Sequence, residues 1–223
     1  VELPSTLEVI ILLFIFAAQI LGEISEFYLV FPFWDTVLHV LNGFLAAAIG
    51  FSMVDLLNRS ERVVFTLSPV FIAIVAFCFS MTIGVIWEFF EFGMDQLLGY
   101  DMQKDTVIHT IHSVTLDPEG HNIPYTISRI AETAVNGQKL GISGYLDLGL
   151  IDTMEDLIVN FIGAAVFSVL GFLYVKNRGK GKLADRFIPR RKIQDQDFLK
   201  IVSEESETME NKMLPNIKKK SKI

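Results

Sequence analysis

Residues 63–87 read VVFTLSPVFIAIVAFCFSMTIGVIW, a run without a single charge, and it ends abruptly in Trp87-Glu88-Phe89-Phe90-Glu91-Phe92-Gly93-Met94-Asp95. A helix crosses a hydrocarbon layer of roughly 30 Å with about 20 apolar residues. This run is long enough to cross with tilt. Two further stretches meet the same standard: 36–54, uncharged apart from the titratable His39, and 157–175. A fourth, 9–22, reaches spanning length by borrowing Leu7 and Glu8. The sequence therefore predicts an all-α fold, a polytopic transmembrane bundle of at least four helices. The spans fall near residues 7–22, 35–57, 63–92 and 150–175, with a long outer loop segment at 98–148. Residues 1–175 make the membrane domain and 176–223 a charged tail.

Composition agrees. The chain has 223 residues, 51% of them hydrophobic, with 19 Phe, and a mean hydropathy of +0.44, values that suit a membrane protein. A net charge of −7 argues against a nucleic-acid partner, which needs a basic face to neutralise phosphates. The lone Cys78 excludes an intramolecular disulfide or a Cys-based zinc site, and its apolar surroundings predict a buried, inert thiol. The chain begins at Val1 with no basic leader, so further membrane helices are expected upstream.

Basic residues set the orientation. Lys176, Arg178, Lys180 and Lys182 follow the last span, and Arg59 with Arg62 fill the link between the second and third. Both places are expected in the cytoplasm of a bacterial plasma membrane: the loop 58–62 and the tail 176–223 inside, the segment 98–148 outside. Within that outer segment Leu116-Asp117-Pro118-Glu119-Gly120 reads as a turn, and 127–135 as a short helix with Ser128 and Glu132 exposed. The tail is expected to be partly disordered, its basic start near anionic lipid.

The ionisable residues at span ends form a pattern. Asp35 and His39 are i,i+4 on the second span; Glu88, Glu91 and Asp95 form one stripe on the third; Asp152, Asp156, Asn160 and Gly163 run down one face of the fourth. All lie at the outer ends. An acidic group in a membrane helix costs about 2.5–3.5 kcal/mol on insertion scales, so such groups face a bundle interior or a cavity. One His with several carboxylates suits a divalent metal ion of unspecified identity, with His39, Glu88, Glu91, Asp152, Asp156 and Asp35 as ligands and Asp95 as general base. The bland alternative is an interfacial anchor set. Asp35, Asp152 and, a turn further on, Asp156 near helix starts favour the macrodipole, and Trp34, Trp87 and Phe89 would form an aromatic belt. It leaves Glu88, Glu91 and Asp95, at a helix C-terminus, unexplained. His109, His112 and His121 offer a second candidate cluster in the outer segment, or plain loop histidines. Gly43, Gly84 and Gly163 read as close-packing positions. Asn58-Arg59-Ser60 fits a glycosylation sequon but falls on the expected cytoplasmic side.

Trp34-Asp35-Thr36-Val37-Leu38-His39 with Asn42-Gly43, then Trp87-Glu88-Phe89-Phe90-Glu91, then Asp147 and Ile151-Asp152-Thr153-Met154-Glu155-Asp156 with Asn160-Phe161-Ile162-Gly163-Ala164, resemble the YjdF-like family of small bacterial membrane proteins, which has no assigned activity. The resemblance covers roughly 7–175. More distantly, Asp35/His39, Glu88 or Glu91, and Asp156/Asn160/Gly163 are similar to the VanZ-like membrane proteins, a group linked to the cell envelope; the long outer segment and doubled carboxylates depart from that pattern. Three functional readings follow: a metal-dependent enzyme on a lipid-linked or envelope substrate, a cation- or proton-linked binding or transport protein, and a structural or interaction protein. The bilayer is the partner common to all three.

Overall fold

The computed structural model describes residues 4–58, 67–177 and Phe187. Among the described residues, four helices are long and apolar enough to cross a membrane. The first is α1, Ser5–Phe16, prolonged without a break by a π-helical stretch over Ala17–Ile24. A short α2, Phe27–Val30, and α3, Trp34–Asn58, follow. Then come α4, Pro69–Leu98, and α5, Leu150–Lys176.

The start of α4 lies six residues beyond the sequence expectation of 63, for a local reason. Ser68 is extended and its Oγ accepts the Phe71 N–H at 3.2 Å, while Pro69 occupies the first helical turn. This is the usual pairing of a hydroxyl cap with a proline that has no N–H to lose. The helix ends at Gly99, in the left-handed region at φ 69°, as a C-terminal glycine allows. Glu88 and Glu91 thus sit two to three turns inside the helix, beyond the reach of the terminal dipole.

Helices α3, α4 and α5 pack around one core that includes Leu45, Ala47, Phe51, Ile72, Ala76 and Phe167. Their closest meeting is between α3 and α5. A Cβ added at Gly43 would fall on the Asn160 carbonyl, and one at Gly163 on the Val40 carbonyl. Gly84 on α4 likewise leaves room for the Asn160 amide. These are the small residues that let membrane helices approach backbone to backbone. By contrast, α1 buries only Leu7 completely and leaves Val9, Leu12, Leu13, Ile15 and Phe16 exposed. Apolar side chains facing outward on a spanning helix meet lipid, which carries no hydrophobic penalty. Cys78 is exposed on α4, correcting the expectation of a buried thiol: it lies on the outward face of its helix.

The segment between α4 and α5 is not a bare loop. Val107–Ile108 (β1) pairs with Tyr145–Leu146 (β6), Thr110–Ser113 (β2) with Tyr125–Ser128 (β3), and Ala134–Val135 (β4) with Gln138–Lys139 (β5), all antiparallel. The short helix expected at 127–135 is therefore replaced by strand ends. Tyr125-Thr126-Ile127 is aromatic and β-branched, and Asn136 and Gly137, at φ 53° and 79°, form a turn of the type that closes two-residue hairpins. The turn at Leu116–Gly120 forms as read: Asp117 Oδ1 accepts the Glu119 N–H, and Oδ2 those of His121 and Ile123. Those bonds hold the Asp117 carboxyl below its ordinary range. The loop 59–62 and all of the tail after Asn177 except Phe187 lie outside the described residues; Phe187 packs edge-on against Phe44 with ring centroids 5.2 Å apart.

The α3–α5 crossing gives a direct test. Gly163→Val should overpack the interface at a cost of about 1–3 kcal/mol or more and lower the thermal midpoint in detergent. Gly93→Ala, where a Cβ meets nothing within 4 Å, should leave it unchanged or raise it slightly. Equal melting curves for the two variants would contradict the close approach.

Candidate functional site

The four helix ends next to the long segment meet at one end of the bundle, and the spacing read from sequence turns three faces toward one another. From α3 come Asp35, His39 and Asn42; from α4, Glu88 and Glu91; from α5, Asp152, Asp156 and Asn160. His39 stands in the middle. Its Nε2 lies 3.6 Å from Asp35 Oδ1 and 3.5 Å from Asp156 Oδ2, and its Nδ1 lies 3.8 Å from Glu88 Oε1. His39, Glu88, Glu91 and Asp156 each offer one ligand-type atom, and all four atoms fall within 4.8 Å of one another. Asp35, Asp152 and Asp156 form a second such group at the same limit.

Burial separates these carboxylates into two kinds. Glu88, Glu91 and Asp156 are 4%, 6% and 4% exposed. Trp87 Nε1 donates to Glu91 Oε1 at 2.9 Å, yet both Glu88 oxygens, Glu91 Oε2 and Asp156 Oδ2 are buried without a hydrogen-bond partner. Asp35 and Asp152 are better served. Lys104 Nζ donates to Asp35 Oδ2 at 3.1 Å, and the Lys104 backbone N–H donates to Asp152 Oδ2 at 3.0 Å. The macrodipole reading therefore fits these two, which also begin their helices, and fails for the inner three. An unpaired buried carboxylate is costly, so three together call for a cation or for protons.

The floor of the site is polar and then closes. Asn160, 1% exposed, accepts from Asn42 Nδ2 at 3.3 Å and directs its own Nδ2 to Met81 Sδ at 3.6 Å. Ser80 Oγ donates to the Gly43 carbonyl at 2.7 Å. Beneath them lie Ala47, Phe51, Ala76 and Phe167.

The roof is what sequence reading missed. Gln103 and Lys104 close the top, held by three attachments. Asp95 accepts the Met102 and Gln103 N–H groups at 2.7 and 2.8 Å, Gln103 Nε2 reaches Thr153 Oγ1 at 2.5 Å, and Lys104 spans Asp35 and Asp152. Asp147 completes the frame by accepting the Thr106 and Ile151 N–H groups at 2.8 and 2.7 Å. Burial alone would pull the Lys104 ammonium down, but the charge and hydrogen bond of Asp35, with Asp152 and Asp156, outweigh it and hold it above its ordinary value. The ammonium also lies 4.9 Å from the centre of the Tyr28 ring. Burial first, then Asp35, Glu23 and Glu91, push the Tyr28 hydroxyl up, so it stays protonated. Asp95, read as a general base, has both oxygens engaged by the loop and belongs to neither ligand group. The three loop histidines do not converge: His109 Nδ1 meets the Ile130 carbonyl, His112 Nδ1 meets Thr126 Oγ1 and His121 Nδ1 meets Glu119 Oε2.

Beside the cluster, between the first span and α3–α4, lies a cavity of about 910 Å³. Phe14, Ile15 and Phe90 line its apolar part, and His39, Glu91 and Lys104 its polar part.

Removing the loop anchor should be measurable. Asp95→Ala leaves two backbone N–H groups unpaired, each such charge-assisted bond contributing about 1.5–3 kcal/mol. Cleavage by protease within 99–106 should become faster and the melting temperature lower; an unchanged digestion pattern would contradict the anchoring role.

No solved structure matches this chain. An uncharacterised protein of Thermotoga maritima is 28% identical over 114 residues, which cover 49% of this chain and 57% of that protein. The model of the family described as "Predicted membrane protein (DUF2238)" matches residues 1–177, a range holding every described helix and every residue of the cluster. The chain is a member of that membrane protein family.

Proposed function

We propose that His39, Glu88, Glu91 and Asp156 hold a divalent cation and that the site acts on a lipid-linked or envelope substrate drawn from the adjoining cavity. The observation that carries this reading is the buried trio Glu88, Glu91 and Asp156, whose unpartnered oxygens converge with His39 while no lysine or arginine among the described residues forms an ion pair with them. One nitrogen and several carboxylate oxygens form a donor set that suits first-row divalent ions. When bound, such an ion supplies Lewis-acid chemistry in a site with restricted water. Asn160 fixes the floor, Trp87 orients Glu91 and Lys104 covers the top. The cavity supports a lipid-like substrate: its apolar wall includes Phe14 and Ile15 of the loosely packed first span, and its polar wall includes Asp35, His39 and Glu91 of the cluster.

Transport is less well supported, because the groups packed below Asn160 are mainly apolar, with Ser52, Asp55 and Ser168 the buried polar ones among the described residues. A purely structural polar core is disfavoured because the donors facing the trio, Trp87 at Glu91 and the Thr153 hydroxyl near Glu88, are neutral and leave most of its oxygens unpaired. Asp95 could act as a base only by releasing the loop it anchors. The residues behind the YjdF-like resemblance include the quartet, and those behind the VanZ-like one include His39, Asp156 and one of Glu88 and Glu91, which supports a shared site without naming its reaction. We place the protein in the bacterial plasma membrane with 98–148 outside and the 58–62 loop and the tail inside, on the distribution of basic residues.

Two experiments test this reading. Full-length protein purified in mild detergent should carry metal by mass spectrometry and lose thermal stability on chelation, whereas His39→Ala and Glu88→Gln should lack both the metal and the shift. Metal retained in both variants, or none bound by wild type after reconstitution with zinc, manganese, cobalt or nickel, would sink it. For orientation, a cysteine placed at Gly120 in a Cys78→Ser background should react with an impermeant maleimide in intact cells. Labelling only after lysis would reverse the assignment.

A further inference from the structure

The ligand-type oxygens do not stop at the quartet. Asp35, Asp152 and Asp156 offer one oxygen each within 4.8 Å of one another, so Asp156 belongs to both groups. The Asp156 side chain is only 6% exposed, and its Oδ2 has no hydrogen-bond partner. Lys104 provides a separate observation: its ammonium already sits on Asp35, 3.1 Å from Oδ2, which marks the second group as a place that takes positive charge. The Lys104 side chain is 38% exposed and has a flexible four-carbon stem, so it can withdraw without disturbing the backbone N–H that holds Asp152.

Charge balance decides how many cations the site needs. Asp35, Glu88, Glu91, Asp152 and Asp156 carry five negative charges when ionised, and Lys104 returns one. Once Lys104 has withdrawn, two divalent ions leave one of the five charges uncompensated, whereas one ion with Lys104 in place leaves two in a poorly solvated place.

We infer that the site is dinuclear. A second divalent cation binds among Asp35, Asp152 and Asp156, with the Asp156 carboxylate bridging it to the first. Lys104 holds the second position when that ion is absent. The inference rests on the mononuclear reading above and extends it. Two-metal sites hold their ions roughly 3.5–4 Å apart, a spacing that one shared carboxylate can span. The two positions differ in chemistry. The first has an imidazole nitrogen; the second is all oxygen and favours harder ions such as magnesium or manganese.

The test uses full-length protein in detergent, stripped by chelation and reloaded with manganese(II), with metal counted by mass spectrometry and its state read by electron paramagnetic resonance. Wild type should bind two manganese ions per chain and show an exchange-coupled spectrum. Asp152→Asn, with Asp35→Asn as a second variant should the first fail to fold, should lose one ion and show an isolated-ion spectrum. Lys104→Met should keep two ions and take up the second at lower manganese concentration than wild type. One ion per saturated wild-type chain would overturn the dinuclear site and leave the mononuclear reading standing, whereas none would remove both. Two ions in wild type and in both aspartate variants would overturn the assignment to these residues.

Discussion

The bundle depends on the backbone-to-backbone crossing of α3 and α5, where Gly43 lies against the Asn160 carbonyl and Gly163 against the Val40 carbonyl. In lipid, association of helices gains little from hydrophobicity, so close packing and buried polar contacts must supply it. Here the two coincide. The approach that removes space for a Cβ also carries Asn160 into reach of Asn42, and Ser80 on α4 ties the third helix to the Gly43 carbonyl. The approach of His39 to Asp156 follows from this crossing, because they stand one turn from Gly43 and Asn160 on the same two helices.

Such a foundation explains how the protein keeps a concentration of like charge inside its membrane domain. Acidic side chains on separate helices repel and would push the bundle apart at that end. The glycine crossing holds them together from below, and the Gln103–Lys104 roof holds them from above. The first span contributes least to this frame, and the cavity lies on its side. Three closely packed helices with one loosely attached neighbour leave the cavity on the side of the first span, the arrangement that the proposed lipid-like substrate would need.

Much of the architecture was legible in the amino-acid order. Uncharged runs gave four spans, and helical spacing brought Asp35 with His39, Glu88 with Glu91, and Asp152 with Asp156 onto common faces. Small residues were recognised as contact points. The misreadings were local. The third helix starts at Pro69 because Ser68 caps it, a signal present in the sequence but outweighed by the apolar run before it. The strands around 125–139 were announced by Asn136-Gly137 and by β-branched residues, yet 127–135 was read as helix because a short apolar segment has no decisive period. Cys78 was placed inside because hydrophobic surroundings were equated with burial, an equation that fails where the solvent is lipid.

The sequence by itself determined that this chain crosses a membrane, that its acidic and His residues cluster toward one end, and which of them share a helix face. These are properties of composition and of a 3.6-residue period, and they need no knowledge of partners. Only the tertiary structure decided which carboxylates are served and which are not. Lys104 is distant in sequence from Asp35, and its backbone amide and ammonium reach two different helices; Asp95 turns away to hold a loop, while Glu88 keeps both oxygens without a hydrogen-bond partner. Those outcomes depend on distances of a few ångströms between segments far apart along the chain, and no local rule encodes them.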